Sequence, residues 1–404
     1  MKFPHDVVLP DGKILNTICG KSSIREANDT SHDKKIASIE EKIYHLPTVY
    51  QTFDICHVYV VFSEKCNLNC IYCFENNLRI DSKLANSSEE LAKIYVQCIH
   101  RLEKSYKIVK VTLYGGEPLL AENKEAIRII LDYCHKNKIE VRIITNGVLL
   151  DCYLPIMNNY DCISEIIITI DGEKDVHNSR RKGKGIRDTY DLIIRNIREA
   201  VQLQLFTIVI RVNLDLDNIF YQRQMIFDLE KISTEKIEIL YYRTQNNKDT
   251  YANNKLLSLS AFASFMDRLL SQNFKIKIKS GENTYNQIKD ILEKDKQIYP
   301  RLTYCEYGYI YLLAQDGNIY SCEEGIGVSA CAYATIHDFI ESPINLRQNP
   351  ADSIVQGSVK SGCCTCTVNT ICGGGCYLKR LRKLGYCDKE EIRKTLDEMY
   401  MRRK

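Results

Sequence analysis

Short apolar runs alternate with longer stretches whose apolar residues recur every three or four positions. HVYVVFS (57–63), VKVTLYG (109–115), VRIIT (141–145), EIIITID (165–171), FTIVIRVN (206–213) and KIEILYY (237–242) read as strands, being short and rich in β-branched and aromatic residues. Residues 88–104, 122–137 and about 188–204 have helical spacing and fall between them. Six strands alternating with helices over roughly 190 residues predict a parallel α/β fold, because parallel neighbours need a long crossover. Six units are fewer than the eight of a full barrel. On periodicity alone a partial barrel and an open doubly wound sheet both fit.

The flanks read differently. Residues 1–55 contain the polar stretch SSIREANDTSHDKK and are expected to form a partly ordered lead-in to a core at 56–250. Residues 251–302 form a lysine-rich bridge, helical over 256–298. Residues 303–387 hold nine cysteines and much glycine, with only short strand candidates such as YGYIYLLA (307–314). Such a segment needs more than an apolar core to hold it, and metal can supply that. Residues 388–404 read as a charged terminal helix.

Composition narrows the setting. Hydrophobic residues make up 45% of the 404, ample for a large core, and the net charge of +3 gives no electrostatic case for nucleic acid or an anionic membrane as partner. The opening MKFPHDVVLPDGKILN lacks the pattern of a signal peptide, and no apolar run is long enough to span a bilayer. A cytoplasmic location is expected. There, 18 cysteines point to metal or redox chemistry rather than disulfides.

Cys66, Cys70 and Cys73 form C-x3-C-x2-C in CNLNCIYCFE, directly after the first strand. In a parallel α/β fold that loop opens on the face where active sites sit. Three thiolates can hold three irons of a four-iron cluster and leave the fourth open to a ligand. A zinc site short of one ligand, or free thiols, is the alternative on spacing alone. Further along, the second strand ends in Gly115-Gly116-Glu117-Pro118, the third in Thr145-Asn146-Gly147, the fourth in Thr169-Ile170-Asp171-Gly172, and the fifth in Asn213.

These segments, in this order, resemble the radical S-adenosylmethionine (SAM) superfamily. The resemblance implies a partial (β/α)6 TIM-like barrel whose cysteine loop carries a [4Fe–4S] cluster. The open iron of that cluster binds SAM, and SAM is split to a 5′-deoxyadenosyl radical. It implies that Tyr72, just before the third cysteine, packs near the adenine. Gly115, Gly116, Glu117 and Pro118 would meet the methionyl amino group, where a carboxylate can hold an ammonium. Thr145, Asn146, Thr169 and Asp171 are the other strand-end candidates, and Asn213 would reach ribose or adenine. The TIDG segment, with His177 and Arg181 after it, resembles the stretch in which members acting on peptides hold the SAM carboxylate. Here Asn178 replaces a frequent aspartate, and the adjacent Arg180 competes for the arginine role.

The later cysteines run Cys305-x11-Gly317-x4-Cys322, then Cys363-x2-Cys366-x5-Cys372-x3-Cys376, then Cys387. This resembles the seven-cysteine SPASM extension. The resemblance implies two auxiliary four-iron clusters, one held by Cys305, Cys322 and Cys376, the other by Cys363, Cys366, Cys372 and Cys387. The first is one ligand short. Sulfatase-maturing relatives add a cysteine just upstream, but the nearest here is Cys162. The fourth position is therefore open to a substrate thiolate, or filled by Cys331 or Cys364. A zinc ribbon is the plain alternative. Cys19, Cys56, Cys98, Cys134, Cys152 and Cys162 fit no cluster and read as ordinary thiols.

A cysteine-rich SPASM domain behind a radical SAM barrel implies an oxidoreductase acting on a ribosomally made peptide or a protein side chain, for instance forming a thioether or carbon–carbon crosslink. An electron donor such as flavodoxin or ferredoxin is expected. Leader-peptide capture is left either to a separate leader-peptide-binding partner or to the barrel and lead-in, because only about 55 residues precede the first strand, against about 80 in the winged-helix module of many peptide maturases. The alternative within the class is formylglycine formation on a sulfatase. Those relatives place an aspartate after the cysteine equivalent to Cys322, and Glu323 stands there as the candidate catalytic base, followed by Glu324. A non-catalytic iron–sulfur electron carrier is the alternative of another kind. The GGEP and TIDG segments, which merely holding clusters does not require, argue against it.

Overall fold

The computed structural model describes residues 5–44, 54–75, 84–245, 252–294, 310–342, 363, 366–376 and 387–404. The chain starts with a hairpin, β1 (Asp6–Val8) and β2 (Ile14–Asn16), and a helix, α1 (Asp33–Tyr44). Alternating units follow: β3 (Ile55–Val61), β4 (Leu68–Cys70), α2 (Ser88–Glu103), β5 (Ile108–Tyr114), α3 (Lys124–Lys136) and β6 (Glu140–Thr145). Next come α4 (Leu154–Met157), β7 (Ile163–Thr169), α5 (Lys174–Arg180), β8 (Arg181–Gly183), α6 (Thr189–Gln202), β9 (Thr207–Leu214), α7 (Arg223–Glu230) and β10 (Ile237–Arg243). The strands β3, β5, β6, β7, β9 and β10 are parallel and adjacent in chain order, the partial (β/α)6 barrel. Each of the six overlaps a run read from the sequence.

Alternation explains the two faces of this sheet. In register, Val60, Leu113, Ile143 and Ile166 share the face covered by the helices and are fully buried. The opposite face carries Tyr59, Thr112, Arg142 and Glu165 in one row. It is polar and aromatic, with Lys110 paired to Glu140 at 2.6 Å and the Arg211 guanidinium 4.5 Å from the Tyr242 ring centre. Ser87 and Asp188 cap α2 and α6 by accepting from the amides of Glu90 and Asp191.

One expectation is corrected outside the barrel. The bridge is not helical throughout: α8 (Leu259–Leu270) and α9 (Asn283–Glu293) flank β11 (Lys277–Ser280), which extends the sheet beyond β10. KIKIKS has the period of a strand, and lysines on an edge strand keep it from pairing further. The lead-in is also more ordered than its polarity suggests. Val7, Leu15, Ile18 and Ile36 are buried, and a buried Asp6–Arg25 ion pair at 2.8 Å holds the hairpin to the following turn.

Beyond β3 the sheet continues with β12 (Ile310–Leu313), parallel to it, and the antiparallel β13 (Asn318–Tyr320) and β14 (Ala332–Thr335), followed by α10 (Ile336–Glu341). A short helix, α11 (Asn369–Cys372), and α12 (Lys389–Arg403) close the chain, α12 where the charged helix was expected. Thr370 donates to Thr17 at 2.8 Å, Tyr400 to Asp11 at 2.9 Å and Lys404 to Asp11 at 2.8 Å, so the first hairpin packs on the last helices.

Candidate active site

The cysteine loop is clamped from two sides at the C-terminal end of β3. On one side β4 pairs antiparallel with β8, setting Cys70 opposite Arg181, and the amide of Ile71 donates to the Arg180 carbonyl at 2.9 Å. On the other side the Glu117 amide donates to the Lys65 carbonyl at 2.8 Å. The Gly116 amide donates to Glu75 at 2.9 Å, two residues past Cys73. Burial pushes the Cys66 thiol up to about 11 and the Cys73 thiol up to about 12, and raises Cys70 as well. Opposing this, the Leu68 amide and the Asn146 side chain donate to the Cys66 sulfur at 3.4 and 3.7 Å, and Arg181 faces Cys70.

Next to the loop, the Tyr72 hydroxyl is the hub of a polar network. It donates to Asp171 at 2.6 Å and accepts from Arg181 at 2.7 Å and Asn213 at 3.2 Å. Burial first, then the Asp171 charge, raise its pKa well above the ordinary tyrosine value, with Arg181 opposing. The two arginines separate here. Arg180 reaches both Asp215 oxygens at 2.9 and 2.7 Å, approaches Asp171 at 3.4 Å and lies 5.0 Å from the Tyr72 ring centre. Arg181 keeps a buried Nε with no partner.

Several predicted cofactor contacts turn out to point into the protein. The Glu117 carboxylate is fully buried and accepts from the Thr145 hydroxyl (2.7 Å), the Asn146 amide (2.7 Å) and the Leu119 amide (2.9 Å). It ties β5 to β6, its two oxygens accepting three hydrogen bonds from within the protein. Asn146 donates to Asn67 at 2.7 Å and so orients the loop. Asp171, also fully buried, accepts from the Asn213 amide at 3.2 Å and from Tyr72, and acts through them. Pro118 accepts at its carbonyl from Asn123 at 3.1 Å, and Thr169 is nearly buried at the end of β7. Sequence reasoning missed Asn67, Glu75 and Asp215. Only Glu75, a carboxylate two residues past the last cysteine, had a visible signal.

The second cysteine region divides in two. Cys363, Cys366, Cys372 and Cys387 line one cavity, with Asn369, Gly374 and Asp388. Burial pushes the Cys372 thiol up to about 11. Cys322, Cys331 and Cys376 pack into a separate apolar cluster with Val61 and Tyr114, the last residues of β3 and β5. Glu323, half-buried, follows Cys322 in a short turn and lies close enough to Tyr59 and Tyr114 to raise both, after the larger effect of burial. Cys305 and Cys364 lie outside the described residues. Among those described, no three His, Cys, Asp or Glu side chains converge as for a single ion. A four-iron cluster asks instead for one thiolate per iron.

Residues 60–218 match the family model for the radical SAM superfamily. The match covers 159 of the 404 residues, and the cofactors it implies are a [4Fe–4S] cluster and SAM. The residues fit them: three cysteines share the loop, donors surround Cys66, and the orphaned Arg181 Nε beside Tyr72 suits a carboxylate. A probable GTP 3′,8-cyclase of Methanococcus aeolicus is 28% identical over 149 residues, covering 36% of this chain and 46% of that one. The radical SAM cyclopropyl synthase TigE of Paramaledivibacter caminithermalis is 26% identical over 228 residues, covering 47% of each. The chain thus spans less than half the length of these curated relatives. Native anSMEcpe with bound AdoMet shares the fold at a TM-score of 0.63 and 18% identity, over 86% of this chain and 97% of that one. Streptococcus suis SuiB bound to S-adenosylmethionine does so at 0.59 and 16%, over 88% and 81%. Structures also exist of anSMEcpe with a Cp18Cys peptide and of SuiB with the precursor peptide SuiA.

Proposed function

We propose that this protein is a radical SAM enzyme that modifies a side chain of a peptide or protein, with residues 303–387 holding two auxiliary four-iron clusters. One observation carries the auxiliary part: four cysteines, spread over 25 positions from Cys363 to Cys387, line a single cavity. Four thiolates match the full ligand set of a four-iron cluster. The peptide substrate is supported by the peptide complexes of anSMEcpe and SuiB and by the polar, aromatic face of the barrel.

Cys66, Cys70 and Cys73 would hold the first cluster, which with bound SAM supplies a radical able to take hydrogen from an unactivated carbon. Arg181 holds the SAM carboxylate through its unpartnered Nε. Tyr72 sets the angle of that arginine, and Asp171 and Asn213 fix the Tyr72 hydroxyl. Arg180 balances the Asp171 and Asp215 charges. Gly116 and Glu117 position the cysteine loop rather than touch substrate. Glu323, beside Tyr59 and Tyr114, is placed to take a proton from a substrate held over β3 and β5. That placement also favours a second reading, formylglycine formation, in which Glu323 serves as the base.

Anaerobic reconstitution should give about twelve irons per chain. Replacing Cys66, Cys70 and Cys73 with alanine should remove about four and abolish reductant-dependent 5′-deoxyadenosine formation. A fully iron-loaded protein that leaves SAM intact, with and without peptides, would return the electron-carrier reading. A product from a sulfatase-type peptide carrying the modified cysteine, and none from other peptides, would select the second reading.

A further inference from the structure

We infer that Arg211 is a substrate-binding residue of the barrel and that it takes a carboxylate of the peptide, from an acidic side chain or from the peptide's C-terminus. This rests on the proposed peptide substrate and names a chemical class for it.

On the face of the sheet turned away from the helices, the charges pair off. Lys110 meets Glu140 at 2.6 Å, Arg142 meets Glu165 at 3.8 Å, and Glu238 takes both Lys277 and Lys279. Arg211 shares this face, in register with Thr169 of β7 and Leu240 of β10. Among the described residues, it is the strand cation of this face that no carboxylate pairs with. Its partners are neutral: Nε donates to the Asn213 side-chain oxygen at 3.3 Å, and the guanidinium lies 4.5 Å from the Tyr242 ring centre. Arg211 is half-buried, and the hydration it gives up is offset by no counter-charge.

The position is nonetheless built. Tyr242 fits where it does because residue 281 is glycine; a Cβ there would lie 2.1 Å from the ring. Stacking on the ring fixes the plane of the guanidinium, and Asn213 fixes its rotation about that plane. Both terminal nitrogens are left without a partner among the described residues. Two parallel N–H groups on one planar edge match the two oxygens of a carboxylate.

The surroundings put that edge in the working part of the barrel. Asn213 also donates to the Tyr72 hydroxyl at 3.2 Å, so one side chain separates Arg211 from the cofactor network. Tyr114 lies within reach of charges of both signs: burial first, then Glu75 and Glu323, raise its pKa, and Arg211 opposes them. Tyr59 and Tyr114, whose rings meet edge to face at 5.8 Å, line the same face. A carboxylate on Arg211 is therefore held beside the cofactor network. An uncharged or basic group in its place leaves the guanidinium unpaired.

The test uses the reconstituted full chain loaded with SAM, with binding followed by calorimetry. The probes are a terminally blocked glycine–alanine peptide with one central glutamate, the same peptide with glutamine, and the glutamine peptide with a free C-terminus. The glutamate peptide, the free C-terminus or both should bind about 10–100-fold tighter than the blocked glutamine peptide, and which of them does so identifies the source of the carboxylate. Arg211→Gln should remove the preference while iron per chain is kept and SAM still binds, and Arg211→Lys should restore part of it. Arg211→Glu should turn the preference toward a blocked peptide with a central lysine, which a general loss of structure cannot do. No difference among the three probes in the unaltered protein, or a preference that survives Arg211→Gln, would overturn the assignment. So would loss of SAM binding in Arg211→Gln, which would give the guanidinium to the cofactor. Glutarate bound through Arg211, with no peptide bound, would keep the carboxylate site and remove the peptide reading on which it rests.

Discussion

Gly116→Ala tests whether the GGEP segment serves the cysteine loop. Gly116 has φ +48°, and a Cβ there would lie 2.2 Å from the Lys65 carbonyl oxygen, next to Cys66. Ordinary contact begins at 3.4 Å, so the two segments must part by about 1.2 Å. Parting them breaks the Glu117–Lys65 hydrogen bond of 2.8 Å and the Gly116–Glu75 hydrogen bond of 2.9 Å. A left-handed residue with a side chain costs about 1–2 kcal/mol, a neutral hydrogen bond about 0.5–1.5 and one to a charged group about 1.5–3, or about 3–6 kcal/mol together. Gly12→Ala is the control. It has φ +85° with nothing within 4 Å of the added Cβ, so only the backbone term applies. Urea unfolding of the metal-free proteins measures the difference, and iron per chain after reconstitution reports the loop. Gly116→Ala should lose about four irons, Gly12→Ala none. If both variants unfold within about 1 kcal/mol of each other and load iron fully, the clamp drawn from the Gly116 approach is wrong.

Three further outcomes follow from the same geometry. Arg180→Met strands the buried Asp171 and Asp215 and should destabilise the fold by about 3–5 kcal/mol in urea unfolding. Arg181→Met should instead weaken SAM binding about 10–100-fold by calorimetry with modest change in stability; an interchange of the two effects would reverse the roles given to these arginines. Burial holds His177 well below its ordinary value, and its Nε2 has no partner, so the folded protein keeps it neutral. The unfolded chain takes up a proton below about pH 6.5, so this contribution is complete above that pH. It is lost by up to about 1.4 kcal/mol per unit as pH falls toward the depressed folded value. His177→Gln should flatten the stability profile between pH 7 and 5, and parallel profiles for the two proteins would assign the pH dependence to other groups.

The barrel was legible because each of its strands carries its own pattern: a β-branched run bounded by turns, followed by helical spacing. The cysteine loop was legible because three thiols within eight residues have few other uses. What escaped depends on partners far along the chain. Nothing in CNLNC announces that β4 will pair with β8, more than 100 residues later. Glu117 shows how a motif reveals a residue type without its direction, since the carboxylate turns inward to Thr145 and Asn146. The lysines of KIKIKS hid a strand within a charged stretch. The hairpin near the start was concealed because Asp6 and Arg25 read as surface charges, and only the folded chain brings them together in its interior. Arg180 and Arg181, equivalent as letters, are separated by Asp215, which neither the GGEP nor the TIDG segment includes.

The contacts of Thr17 with Thr370 and of Asp11 with Tyr400 and Lys404 set a timetable for biogenesis. They join positions 353, 389 and 393 apart. At about 5–20 residues per second on the ribosome, the first hairpin waits roughly 20–80 s for the helices that cover it. The barrel strands, which pair in order, can assemble during that interval. The hairpin, made before the barrel, is thus among the last segments to settle, and it docks on the helix that ends at Cys372, a ligand of the proposed second auxiliary cluster. Iron delivery to that proposed cluster is then expected to be a late, post-translational event, and a nascent chain stalled before it would present an exposed, unfinished edge to chaperones and proteases.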